Sequence, residues 1–196
     1  AYTVTPRMPL AAPSGGMGFL WGWHMGLSID EMRLSQHAQR AAQLVRSHHP
    51  TVCFTSGRRD AREQARAMAT NTIRYGVGWL GQTYKNQQMV QQLEQWMEQN
   101  LEKTASLNLM TEGFYATLIS EQAGQMAQFP HCRGDAFDIQ CPRFESGQID
   151  EQAVLRIKHT LETLPNELGL QLILTREGAH RIIHAQFNHV PEAVEV

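Results

Sequence analysis

The sequence predicts a single α+β domain, a small antiparallel sheet with flanking helices. Three observations point there. Helix-like and strand-like segments interleave without the regular alternation that a doubly wound parallel sheet needs. Two strand-like segments near the end are joined by a glycine-marked turn, as antiparallel neighbours are. A length of 196 residues suits one core, since domains usually run roughly 50–250 residues.

Residues 1–27, rich in Pro, Gly and aromatics, read as an irregular arm, with residues 28–196 as the domain proper. Phe19, Trp21 and Trp23 either pin that arm to the core or offer a stacking platform for sugar rings. Ser28-Ile29-Asp30-Glu31 opens an amphipathic helix to about His48, capped by Ser28 or Asp30. The β-branched run Thr51–Thr55 is a short strand ending at the Ser56-Gly57 turn. A helix starts at Asp60 and runs to about Thr70, and a break follows at Gly76, Gly78 and Gly81. From about Thr83 to Lys103 a glutamine-rich helix carries the apolar stripe Leu93, Met97 and Leu101. A further helix spans Thr111 to about Gln122, so a helical insertion occupies about residues 70–128. Asp135–Gln140 is a strand and Ile149–Leu164 a helix. Leu170–Arg176 and His180–Phe187 form a hairpin around Glu177-Gly178. The four strands are expected to form one sheet with helices on one side.

Composition excludes classes more than it assigns one. A net charge of −2 argues against an electrostatic nucleic-acid binder. Arg58, Arg59, Arg62 and Arg66 cluster, but Asp60 and Glu63 interrupt them. No window approaches the roughly 18 consecutive apolar residues of a membrane helix. No basic–apolar–small leader is legible in the first residues, so the compartment is left to the chemistry of the site. Cys53, Cys132 and Cys141 are too few and too sparse for a disulfide framework, although a Cys132–Cys141 bridge is one arrangement open to them.

The chemistry concentrates in His131-Cys132-Arg133-Gly134-Asp135-Ala136-Phe137-Asp138-Ile139. Imidazole nitrogen and carboxylate oxygen are both good zinc ligands, and Gly134 allows a tight turn between His131 on a loop and Asp138 on a strand. A third ligand is available downstream in His180-Arg181-Ile182-Ile183-His184-Ala185-Gln186-Phe187, where period 2 puts His180, His184 and Gln186 on one face. His189 is a further competitor. Two histidines, a carboxylate and an open position make a catalytic rather than a structural zinc site. A backbone carbonyl or Gln186 would hold the outer ring N–H of a ligand.

H-x-x-G-x-A-x-D followed far downstream by a strand-borne histidine resembles the zinc signature of the M15-type D-alanyl-D-alanine peptidases. Phage endolysins and the Hedgehog signalling domain belong to the same wider group. Upstream, Ser56-Gly57-Arg58-Arg59-Asp60-Ala61-Arg62-Glu63-Gln64 looks like that family's S-G-aromatic-R-S-x-x-x-Q segment. The resemblance implies a Hedgehog/DD-peptidase-like fold and one zinc ion held by His131, Asp138 and His184, the last favoured by its H-x-Q-F ending. It implies Arg59 as substrate anchor, against Arg58 as competitor and a surface salt bridge to Glu63 as the plain alternative. Gln64 and Ser56 would assist in binding. It departs at the general base: the family's glutamate three residues before the last ligand is Arg181 here, which cannot take a proton. Glu177, His180 or a residue of the 65–130 insertion would have to serve.

The function implied is a zinc metallopeptidase that hydrolyses peptidoglycan stem peptides at or near D-amino acids, as a carboxypeptidase or endopeptidase. It would act on the cell wall, from the periplasm or after secretion or injection, with the insertion roofing the cleft. Two alternatives remain: a catalytically weak zinc-bearing binding domain, and a metal-free structural component of a phage or secretion particle. The oligomeric state is not legible in the sequence.

Overall fold

The computed structural model describes residues 26–120, 126, 128–176 and 181–189. The arm aromatics and the two base candidates Glu177 and His180 lie outside the described residues. The described part is α+β, with seven α-helices and one four-stranded antiparallel sheet. The helices are α1 (Gln36–His48), α2 (Ala61–Tyr75), α3 (Gly78–Thr83), α4 (Gln87–Gln99), α5 (Leu107–Ser120), α6 (Pro130–Arg133) and α7 (Glu151–Glu162). The strands β1 (Phe54–Ser56), β2 (Ala136–Gln140), β3 (Leu170–Leu174) and β4 (Ile182–Phe187) lie in the order β1-β2-β4-β3. All four expected strands are present; β2, β3 and β4 fall inside their segments, while β1 is displaced to Phe54–Ser56 and takes in the serine expected in the turn.

One sheet face is apolar by alternation. Phe137 and Ile139 of β2 join Ile183, Ala185 and Phe187 of β4, all fully buried. Against them pack the alanine-rich stripe of α1 (Ala38, Ala41, Ala42, Val45) and Val154, Ile157 and Leu161 of α7. The small side chains of α1 allow it close approach to the strands. A second core is built mainly by α2 to α5, with Met68, Leu80, Leu93 and Phe114 at its centre and Phe129 joining from the segment before α6. Helices therefore flank both sides of the sheet, α1 and α7 on one face and the α2–α5 layer across a cleft from the other. That differs from the one-sided arrangement expected, because the insertion buries its own apolar stripes and needs no sheet beneath it.

Several boundaries shift for identifiable reasons. Ser28 and Glu31 do exchange reciprocal backbone–side-chain hydrogen bonds, as in a capping box. The turn does not propagate, however, since Arg33 adopts φ 50° and α1 restarts at Gln36. Met32 is instead buried, and its carbonyl accepts from the Arg58 amide at 2.8 Å, docking this turn on the Ser56–Arg58 corner. Helix α2 runs on to Tyr75 because Met68, Ala69 and Thr72 continue its buried stripe, and it stops at Gly76. The glycine-marked break contains α3, pinned by buried Trp79 and Leu80. Leu101, expected in the stripe of α4, is exposed; Met89 and Val90 take its place with Leu93 and Met97. No helix among the described residues is long and apolar enough to cross a membrane.

Candidate metal centre

Asp138 points to the polar sheet face and pairs directly across the ladder with His184. The third member comes from α6. Pro130 starts that single turn, where its missing N–H costs nothing, and Gly134 ends it at φ 82° before the chain enters β2. A side chain at Gly134 would be strained at that φ and crowd the Ser35 amide at 3.0 Å. His131 thus stands on a helical turn rather than on the expected loop.

The ligating atoms of His131, Asp138 and His184 lie within 4.8 Å of one another, and all three residues are buried. His131 Nε2 is 3.4 Å from Asp138 Oδ2, and His184 Nδ1 is 2.8 Å from Asp138 Oδ1. Ligands at about 2.0–2.2 Å from a tetrahedral zinc stand about 3.4 Å apart. The trio fits such an ion with small adjustment, and two imidazoles with one carboxylate are a donor set zinc accepts. His131 Nδ1 is 2.8 Å from the Gly57 carbonyl; a carbonyl only accepts, so Nδ1 donates a proton there and Nε2 is the nitrogen turned to the metal position. Gly57 is required there, because a Cβ would lie 2.4 Å from the Met32 carbonyl oxygen. Gln186, the other expected partner, instead gives its amide to Gln171 at 2.9 Å.

Burial is the largest influence on the Asp138 carboxyl and pushes it up. The charge and hydrogen bond of His131, the hydrogen bond of His184 and the Arg59 cation together outweigh it and hold the group well below the ordinary aspartate value of 3.8. Asp138 is therefore a carboxylate across the neutral range, as a ligand must be. Cys132 does not join: burial pushes its thiol up to about 11, and none of the three cysteines forms a disulfide, so the Cys132–Cys141 bridge is not made.

Arg59 lies where the corner after β1 meets α6. Its Nη2 donates to Asp138 Oδ2 at 2.9 Å and its Nη1 to Gln64 Oε1 at 3.5 Å; its amide donates to the His131 carbonyl at 3.1 Å. Gln64 is buried and donates in turn to the Tyr84 hydroxyl at 3.4 Å. A polar chain thus runs from Asp138 through Arg59 and Gln64 to Tyr84 on the helical layer. Arg58 turns away, donating to the Cys132 carbonyl at 3.3 Å, and Glu63 pairs with Arg33 rather than with Arg58 or Arg59. Ser56 ends β1 in register with Asp138 but does not line the cleft. His189 is held by Asp135 at 2.9 Å, outside the trio. Arg181 clasps Glu151 at the start of α7 at 2.6–2.7 Å.

Asp138 is buried, and His131 and His184 open onto a cleft between the sheet and the helical layer. Its walls include Arg59, Gln64, His131 and His184, the segment Thr83–Asn86, and Leu172, Leu174 and Gln186 of the hairpin strands. Tyr84, Lys85 and Asn86 were not singled out by sequence; they are polar residues between α3 and α4, and only the tertiary fold brings them to the metal side. No family model, curated protein or solved structure matches this chain.

Proposed function

We propose that this protein is a zinc-dependent peptidase that hydrolyses peptidoglycan stem peptides at or near a D-amino acid. The observation that carries the reading is the convergence of His131, Asp138 and His184 from three separate segments, with the two histidines opening onto a cleft. The motif resemblance of residues 56–64, 131–138 and 184–187 supplies the substrate class. A zinc ion bound there supplies Lewis-acid chemistry, polarising a carbonyl and acidifying water toward a pKa of about 7.

The chain's own groups do the rest. Gly57 fixes the His131 ring, while Arg59 keeps the Asp138 carboxylate oriented and offers its remaining donors to the substrate carbonyl. Gln64 holds Arg59 in place, and amide side chains on the wall suit peptide groups. Water adds to the carbonyl carbon, the C–N bond breaks, and a base moves the water's proton to the leaving amine. We assign that base to Glu177 with His180 as its neighbour, since the β3–β4 pairing sets Leu174 opposite His184 and the connecting segment starts there. The site of action is the cell wall.

A second reading, a zinc-bearing binding domain with little catalysis, is favoured by one observation. Among the described residues no aspartate or glutamate lines the cleft. Digestion of purified peptidoglycan with mass spectrometry of the muropeptides separates the two. Hydrolysis abolished by chelator, by His131→Ala and by Glu177→Gln supports the peptidase. Stoichiometric zinc with intact muropeptides leaves the binding domain, and no zinc uptake at all ends both.

A further inference from the structure

We propose that the outer wall of the cleft is an anion subsite, in which Lys85 takes a free carboxylate of the bound peptide. The inference rests on the peptidase reading and names a substrate feature which that reading leaves open. The inner cation is already committed, since Arg59 gives Nη2 to Asp138, Nη1 to Gln64 and its amide to His131. Lys85 is the other cation on the cleft wall among the described residues. It is exposed, and it makes no ion pair or hydrogen bond with any of them. No described carboxylate lines the cleft to oppose an incoming anion.

The lysine is also held in place by its neighbours. Tyr84 on one side is wedged edge-on between Trp79 and Phe129, at centroid distances of 5.6 and 5.8 Å, and takes the Gln64 hydrogen bond. Asn86 on the other side caps α4, accepting from the Met89 amide at 3.1 Å, and reaches Gln128 at 3.4 Å across the cleft wall. A lysine on a free loop is a solvated charge with no preferred target. Between two anchored residues its backbone is fixed on the cleft wall, and its three rotatable donors can serve a carboxylate in many orientations. The division of labour is spatial: Arg59 serves the carbonyl beside the metal ligands, and Lys85 serves a charge farther along the peptide.

The test uses the full chain and two stem-type peptides, one with free carboxylates and one with the same groups as carboxamides. Affinity is measured on zinc-free protein, and kcat/KM on zinc-loaded protein. The wild type is expected to bind the carboxylate peptide about tenfold more tightly at low salt, the order of a charged hydrogen bond. Lys85→Gln removes that preference and Lys85→Glu reverses it, both with unchanged zinc content and melting temperature. A preference that survives both substitutions, or is absent from the wild type, overturns the subsite. Charge-selective binding without cleavage of either peptide or of peptidoglycan keeps the subsite and overturns the peptidase. Cleavage of both peptides at equal rates and with equal affinities does the reverse.

Discussion

At the scale of single residues the site depends on one backbone oxygen. Gly57 presents its carbonyl to His131 only because nothing projects from its Cα toward Met32. Gly57→Ala is expected to move that carbonyl and lower zinc affinity about 10- to 100-fold, as loss of a group that orients a ligand does. Competition with a chromophoric chelator measures this, and unchanged affinity would show that the carbonyl does not orient the ring. Asp138 gives a second prediction, of opposite kind. A carboxyl depressed in the folded state stabilises the protein above its ordinary pKa, and that contribution is lost as pH falls through the folded value. In zinc-free protein Asp138→Asn should therefore cost roughly 1–3 kcal/mol at pH 7. The gap should close progressively below about pH 4, where unfolded aspartate protonates. Urea melts at pH 7 and pH 3 decide it, and an equal gap at both pH values would refute the assignment.

Among the elements, α2 matters most because its first turn places Gln64 beneath Arg59. Asp60 and Glu63 close a full capping box at its start, both bonds at 2.8 Å. Asp60→Ala should lower stability by about 1 kcal/mol. It should also weaken substrate binding, because Gln64, which holds Arg59, lies in the turn that this box closes. Denaturant melts and KM report the two effects separately, and an unchanged melt would show the box to be idle. The start of this element was legible at Asp60, whereas its end, expected near Thr70, is carried on to Tyr75 by the buried Thr72. The strands β2 and β4 were equally legible, because period-2 alternation fixes which face holds Asp138 and His184. Less legible was anything set by distant contact. The Ser28 turn carries a correct cap yet fails as a helix, because Met32 is drawn under the Gly57 corner. Leu101 kept the period of α4 and still ended exposed, since the helix stops at Gln99. Lys85 carries no motif at all; its position is a property of the assembled cleft.

For the whole molecule, the two cores meet at the metal centre. Zinc that binds the folded state alone should stabilise it by mass action, by about 2.7 kcal/mol at a hundredfold excess over Kd. Thermal melts with and without chelator test this, and the His131→Ala protein should show no zinc-dependent rise. One feature of the architecture reaches further. Two ligands sit on the sheet, but His131 sits on α6, the short turn that touches both α2 and β2. Any sliding of the helical layer over the strands must then carry one ligand away from the other two. A bound ion would act as a rivet through a sliding joint, and its arrival should quieten motions far from the chemistry. Backbone amides of α2 and α6 should exchange deuterium more slowly once zinc is added, while those buried between α1 and α7 keep their rates. Uniform slowing across both layers would mean the joint was already rigid, and that the metal fastens nothing.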